Sequence, residues 1–595
     1  MGRPRPHIET APLAAAASST PRQSEVFQVA GIEVTQVIQN MAHEVALLTG
    51  KTTVVRVYLA RYNPVEFAVR GDIELTGPTG VQAASSQDVL QLQAGDQDDL
   101  TSCRLHLSRS LNFVLPPLAQ SGRYSVRLTR VYDVSSGALL SEAAPGHSPL
   151  TFDLQPGAPL RVRLVFIQHH VAGGRVVEPN VRDRALVLSW LRRAYPVAEV
   201  LSSQITTPAP RPWPFDATLI NAQLTAMRNL DLESGGDPRV HYLAIVADDG
   251  GPTFVRGAAS SIPSVADPSA VATSPAGSGL WAWDSDGSYG DWYAGHELAH
   301  TFGRTHLGSG CGDRPADPGY PFPGGALCAP DEAFVGFDPG DSALGLPMRV
   351  YRGTTSHDVM SYCDFIWISA FTYAEIRQRI ADEAALSAPR PRASAFRLSL
   401  GRLMKPRRVW LNIVGTVDLT GRTGSIDYVQ PLEAEAAPSP VASERVTLQL
   451  YDAQGELLGS SAARVKWNAC RDEDEHETGV LDTFVIRPPR LTRIELRIDG
   501  DPVATFRSGG RPRGDTALAS SSAADPIRYN VQISIDKGSH WQTVAVGLSN
   551  ADAYQINRAD FAGVRQLRRR VLATDGLRTW PLREDDIPMD EEGPA

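Results

Sequence analysis

The sequence predicts a multidomain protein, with one α/β (α+β) domain flanked by all-β immunoglobulin- or fibronectin-like sandwich domains. Two patterns carry this. Short β-branched runs separated by Gly/Pro turns open and close the chain, while the middle mixes strand-like and helix-like periods. A length of 595 residues corresponds to about four domains. The expected order is a tail over 1–24, an immunoglobulin-like sandwich over 25–156, and a mixed domain over 157–390. A second sandwich over 391–510, a fibronectin III-like module over 511–580 and an acidic disordered tail over 581–595 complete it.

Each element has a local reason. Gly31–Thr35 and Thr53–Tyr58 are β-branched runs, and Tyr124–Leu128 alternates apolar with polar as a half-buried strand does. Leu160–Ile167 predicts the first strand of the mixed domain. Ala185, Leu188, Leu191 and Tyr195 then follow helical spacing, with Pro196 as the stop, and Ile220, Leu224 and Met227 mark a second helix. Val240–Val246 is apolar enough for a strand covered on both faces. Ser288 and Asp291 suit the start of a further helix. Tyr373–Ile380 suits a closing helix. Val409–Ile413, Val446–Leu450, Arg493–Ile498 and Val531–Ile535 have strand composition, and 508–525 is a polar connection.

Composition narrows the partners. The net charge of −10 and the absence of a basic stripe argue against nucleic acid and anionic membrane surfaces. No apolar run approaches the roughly 20 residues of a membrane-spanning helix. The first 25 residues show no secretory signal, since Leu13–Ala17 is too short and too weakly apolar.

The chemistry concentrates in Gly295-His296-Glu297-Leu298-Ala299-His300-Thr301-Phe302-Gly303-Arg304-Thr305-His306. On a helix, His296 and His300 lie one turn apart on one face, so both imidazoles can grip one ion. Glu297 is offset by about 100°, within reach of a water on that ion without being a ligand. Gly303 permits the backbone to leave the helix, and His306 arrives from another direction. Three imidazoles with an open fourth position is the catalytic zinc arrangement. Leu298, Ala299 and Phe302 supply a separate apolar face. His169, His170 and His241 fall in or beside strands, where packing histidines are commoner than ligands.

That motif, followed by His357-Asp358-Val359-Met360-Ser361-Tyr362, resembles the metzincin clan of zinc endopeptidases, which pair it with a later Met-turn. Met-Ser-Tyr looks like the turn of serralysins and is similar to that of astacins. The resemblance implies one zinc on His296, His300 and His306, with Glu297 as general base. Met360 would form an apolar floor, and Tyr362 would assist the tetrahedral intermediate. It implies hydrolysis of protein substrates and export from the cell. A mucin- or glycoprotein-directed protease and a zinc-stabilised adhesin are the competing readings. Thr253–Gly257 would be the edge that pairs with an extended substrate.

Between His306 and the Met-turn lies a long irregular stretch. Three of the five cysteines, Cys311, Cys328 and Cys363, fall in or just past it. A Cys311–Cys328 disulfide would staple this loop, the alternative being buried thiols. Asp313, Asp317, Asp331, Glu332, Asp338 and Asp341 raise calcium as a second ion, without any EF-hand spacing; solvated loop carboxylates are the simpler expectation. Trp281 and Trp283 are expected to pack against the zinc helix or line its cleft.

Overall fold

The computed structural model describes residues 27–61, 67–92, 99–141, 148–248, 254–314, 316–328, 330–386, 408–434, 443–469, 476–508 and 526–589. The expected amino-terminal tail, most of the 508–525 connection and the last six residues lie outside these. Regular structure among the described residues is mainly β-sheet, in several separate sheets with few helices, and none of the helices is long and apolar enough to cross a membrane.

The chain divides into two compact units. The first comprises Met1–Val34, Val54–Leu115 and Gly122–Phe152. One of its sheets orders Phe27–Thr35, Val54–Arg61 and Leu111–Val114; the larger is built around Phe67–Gly77 and Gly122–Asp133. Tyr124, Val126 and Leu128 are buried in alternation with exposed or half-buried neighbours, as the sequence predicts. Its buried Glu33 is held by Arg104 at 2.7 Å and by the hydroxyl of Tyr58.

The second unit comprises Thr35–Thr53, Pro116–Ser121 and Asp153–Ala595. Its centre is a sheet formed by β1 (Leu160–His170), β2 (Val200–Pro208), β3 (His241–Ala247), β4 (Ala258–Ala259) and β5 (Val271–Ala276). Among these five the order is β2-β1-β3-β5-β4, parallel except for β4, which runs antiparallel on the edge; the short strand Val176–Val177 also pairs antiparallel with the end of β1. The polar run Val200–Pro208 was not recognisable as a strand in the sequence. It lies between α1 (Val181–Ala194) and α2 (Ala217–Glu233).

Period-two alternation sorts the two faces. Leu164, Phe166, Leu243 and Ile245 face one core, shared with Trp190 and Leu191 of α1 and with Leu298 of α3 (Gly290–Thr301). Val165, Ile167, Ala244 and Val246 face the other, shared with Ile220, Leu224 and Met227 of α2.

That second core does not end at the mixed domain. Val414, Val480, Val531, Ile533, Val544 and Val571 of the carboxy-terminal strands belong to it. The expected independent modules are therefore fused to the central sheet through α2. A further correction concerns 511–580. Strands Arg528–Ser534, Gln542–Leu548, Gln566–Thr574 and Thr579–Pro588 form one four-stranded sheet, not a two-sheet fibronectin-like sandwich. Nor are residues 581–588 a loose acidic tail. Glu584 and Asp585 lie on an edge strand opposite basic residues, with Arg568–Glu584 at 2.7 Å and Arg569–Asp585 at 2.6 Å. Cross-strand charge pairing explains why the acidic stretch is ordered.

The boundary at 156 is also too simple. Ile38–Gln39 pairs with Val335–Asp338, and the indole N–H of Trp367 donates to Val37 O at 2.8 Å. Buried Lys51 donates from Nζ to the carbonyls of Arg192 and Tyr195, at the end of α1.

Candidate metal centre

Helix α3 starts where Ser288 Oγ accepts the Gly290 N–H, and it packs so tightly on α1 that a Cβ on Gly295 would lie 2.2 Å from the Trp190 ring. It ends at Thr301. Gly303 takes φ +81°, and a Cβ there would lie 2.6 Å from Pro263 O. Glycine is thus required both for the turn and for the close approach. The chain then returns His306 to the face of His296 and His300.

The three ring nitrogens converge. His296 Nε2 lies 3.1 Å from His300 Nε2 and 3.3 Å from His306 Nε2, and all three residues are buried. Each Nδ1 is 2.6 Å from a backbone carbonyl: Val359 for His296, Arg304 for His300 and Arg314 for His306. A carbonyl only accepts, so each Nδ1 carries the hydrogen and each Nε2 presents its lone pair. Burial, followed by the neighbouring His306, pushes the His296 imidazole down to about 3; burial also holds His300 well below the usual range. Three neutral acceptors aimed at one another repel unless a cation lies between them. The donor set fits a metal ion, and the carbonyl bonds are the outer partners that orient metal-binding imidazoles.

Glu297 is 1 % exposed. Burial pushes its carboxyl well above the usual range, against one opposing hydrogen bond from the Ala259 backbone on edge strand β4. Among the described residues, its Oε2 has no hydrogen-bond partner. A buried carboxylate oxygen left without a donor costs roughly 1–3 kcal/mol or more, so its neglect by the protein marks a place for an outside group. Gly257 makes room for it, since a Cβ there would stand 2.8 Å from Glu297 Oε1 and 2.5 Å from Thr273 O.

Met360 is fully buried in the same core as α3. The turn around it is organised by Asp358, whose role the sequence did not suggest. Asp358 Oδ1 accepts the Met360 N–H and Oδ2 the Ser369 N–H, each at 2.8 Å, tying the turn to the start of α4 (Ala370–Ala384). Because Val359 supplies the carbonyl for His296, this turn fixes the orientation of that ring. The Tyr362 ring lies 4.8 Å from that of His306 and 5.8 Å from that of His296. Arg256 sits over its face at 5.2 Å.

The disulfide differs from the expected Cys311–Cys328. Cys311 is bonded to Cys363, with 5.4 Å between Cα atoms, and Cys328 is a buried free thiol whose sulfur accepts the Phe334 N–H at 3.1 Å. The loop after His306 folds onto the residue following Tyr362, bringing Cys311 there rather than to Cys328. The bond therefore ties the loop carrying the third histidine to the Met360 turn. Asp313 shapes the same loop by accepting the N–H groups of Leu307 and Ser309.

The acidic residues of the long loop are not all solvated. Asp338 is buried against Arg193, Asp341 accepts from Ser189 Oγ at 2.6 Å, and Glu332 bonds Thr354. Among the described residues, the other carboxylates close enough together to share an ion are Asp284, Asp286 and Asp291, outside that loop. His241 bonds Glu383 at 2.7 Å and His169 stacks on Trp213, so neither joins the trio. A cavity of about 250 Å³ opens beside His296, lined by Phe254, Trp281, Trp292, Tyr293 and Tyr362. Trp281 faces this cleft; Trp283 packs behind it on Trp292.

No protein-family model matches the chain, and no curated protein matches it. Among solved structures, it is similar over 38 % of its length to a calcium-binding mutant of Bacteroides uniformis beta-glucuronidase 2, at 12 % identity and a TM-score of 0.14, spanning only 24 % of that chain. A beta-glycosidase from Bacteroides vulgatus aligns over 94 % of this chain and 79 % of its own, at 10 % identity and a TM-score of 0.12. Likeness this slight carries no argument about fold or activity.

Proposed function

We propose that this chain is a zinc-dependent endopeptidase of the metzincin type, hydrolysing peptide bonds in protein substrates. The observation that carries the proposal is the pairing of three converging Nε2 atoms with the partnerless carboxylate oxygen of the adjacent Glu297. A purely structural metal site has no use for that carboxylate, which argues against a zinc-stabilised binding protein.

His296, His300 and His306 would hold the ion, which when bound supplies Lewis acidity and makes water nucleophilic near neutral pH. Glu297 accepts the proton of the attacking water and returns it to the leaving amine. Its apolar surroundings raise its basicity for that task, and Ala259 fixes its orientation. Tyr362 stands beside the ligand rings where a hydroxyl can steady a developing oxyanion. The aromatic cavity next to His296 receives a substrate side chain adjoining the scissile bond.

Replacing Glu297 with Gln preserves shape while removing the base. Proteolysis of an unfolded protein should fall about 10²–10⁴-fold, with one zinc per chain retained by elemental analysis. Undiminished turnover in that variant would refute the proposal.

A further inference from the structure

The link between the second and third histidines, residues 301–305, is gripped by one face of α4. Phe371, Glu375, Arg379 and Glu383 recur at intervals of four, which stacks them as a stripe along that helix. Each meets the link or a group that abuts it. Tyr373, Ile376 and Ile380 of the same helix belong to the apolar core, so α4 has its seat in the fold on a separate face.

The deepest of these contacts is at Glu383. Its Oε2 lies 2.7 Å from His241 Nε2, His241 Nδ1 lies 3.0 Å from Thr301 Oγ1, and that hydroxyl donates to Leu298 O at 2.7 Å. Glu383, His241 and Thr301 are all buried, and Thr301 is the residue next to His300. The other oxygen of Glu383 has no hydrogen-bond partner among the described residues, so the carboxyl is engaged with the His241 ring alone. One turn earlier on α4, Arg379 donates from Nη1 to the carbonyls of Pro263 and Val265, at 3.0 and 2.6 Å. A Cβ on Gly303 would stand 2.8 Å from Arg379 Nη2. One turn earlier again, Glu375 pairs with Arg304 at 3.3 Å, and the ring of Phe371 lies 5.9 Å from the same guanidinium. The carbonyl of Arg304 is the one that receives the Nδ1–H of His300.

Exchanging a buried polar pair for apolar groups of the same volume is often neutral or stabilising, so such a pair is weak evidence for stability and better evidence for position. We infer that this stripe of α4, with His241 as its intermediary, fixes where His300 and His306 stand. Glu383 acts through Thr301, Arg379 through the turn at Gly303, and Glu375 through Arg304. None of them lines the cleft beside His296, so they are positioning residues for the metal ligands. Outer partners of this kind set metal affinity by about 10–100-fold. The inference rests on the metal reading of the three histidines given above, and it adds residues that the zinc motif does not contain.

The test measures, on the full chain, the zinc dissociation constant by competition with a chromophoric chelator, together with kcat, KM and the urea midpoint of the metal-free form. Glu383→Leu removes the hydrogen bond to His241 at nearly constant volume. Zinc should then bind about tenfold or more weakly, and kcat should fall while KM holds. Glu383→Gln, whose amide can still bond His241, should recover most of both. If Glu383→Leu does not fold, Glu375→Ala at its exposed position decides the matter, with zinc bound about threefold more weakly as Arg304 loses its pair. Gln378→Ala, on the same helix but off the stripe, should change neither quantity. A shift confined to the urea midpoint, with zinc affinity the same in every variant, makes the stripe merely structural and overturns the inference. Zinc affinity reads the stripe whether or not the chain cleaves protein, so absent proteolysis would sink the endopeptidase proposal alone. An unaltered chain that takes up no zinc would sink both.

Discussion

On the rear of the central sheet, Asp231 receives three donors, from Arg163, Tyr242 and Thr543, and joins α2 to the last sheet of the chain. On the front, Glu297 receives one backbone hydrogen bond and keeps a bare, buried oxygen. Both carboxylates are nearly inaccessible. The difference lies in how much of each is used up by the fold. A buried acid whose acceptors are all engaged cements two layers; one left half-engaged holds its capacity for chemistry. Exposure alone would not have distinguished them.

The largest test of this contrast is at the rear. Asp231→Ala strands the Arg163 guanidinium and should cost about 3–5 kcal/mol. The shift should appear in chemical denaturation with zinc stoichiometry unchanged in the folded fraction. If metal binding were lost in the folded fraction, the two faces would not be energetically separable. Next in size is the front-side bond between Cys311 and Cys363. Replacing both with Ser should cost about 2–4 kcal/mol, and zinc affinity should fall with it because the loop of His306 loses its anchor. A variant equally stable but unimpaired in metal uptake would show that Asp313 suffices to hold that loop.

Gly257→Ala sharpens the front side further. Its Cβ must displace Glu297 or the Thr273 carbonyl. We expect kcat to drop about tenfold or more with zinc content unaltered; unchanged kcat would mean that Glu297 is not held as tightly as the geometry implies. The smallest effect concerns pH. His296 is held near 3 in the metal-free fold, against 6.5 when unfolded. Between those values the unfolded chain takes a proton that the native one refuses. Stability of the metal-free protein should therefore fall as pH drops from 6.5, by at most about 1.4 kcal/mol per unit for this group. A flat urea midpoint between pH 7 and 5 would contradict the burial argument.

The histidine motif and its glycine were legible in the sequence because their geometry is local: one helical turn and one reversal place all three rings. The tyrosine and methionine of the later turn were singled out only through the resemblance to the metzincin Met-turn, not by any pattern of their own. Partners that meet only through the path of a long loop were not legible. Cys311 finds Cys363 because the chain doubles back over a sequence separation of 52, which no spacing rule specifies. The Val200–Pro208 strand was missed because its polar Ser and Gln residues do not alternate cleanly with apolar ones. Asp358 was hidden for another reason, since a carboxylate that caps a turn looks like any loop acid until the N–H groups it faces are known. The acidic stretch at 584–586 looked solvated for want of its cross-strand arginines.

One consequence follows for dissecting the molecule. Val37 receives the Trp367 indole, and Lys51 seals the end of α1, although both precede the first strand of the central sheet by more than a hundred residues. A recombinant fragment starting at Pro159 would leave that indole and those carbonyls without their mates. Excising the mixed domain at its apparent border would thus yield a weakened protein, and supplying 35–53 as a separate peptide should restore part of what was cut away.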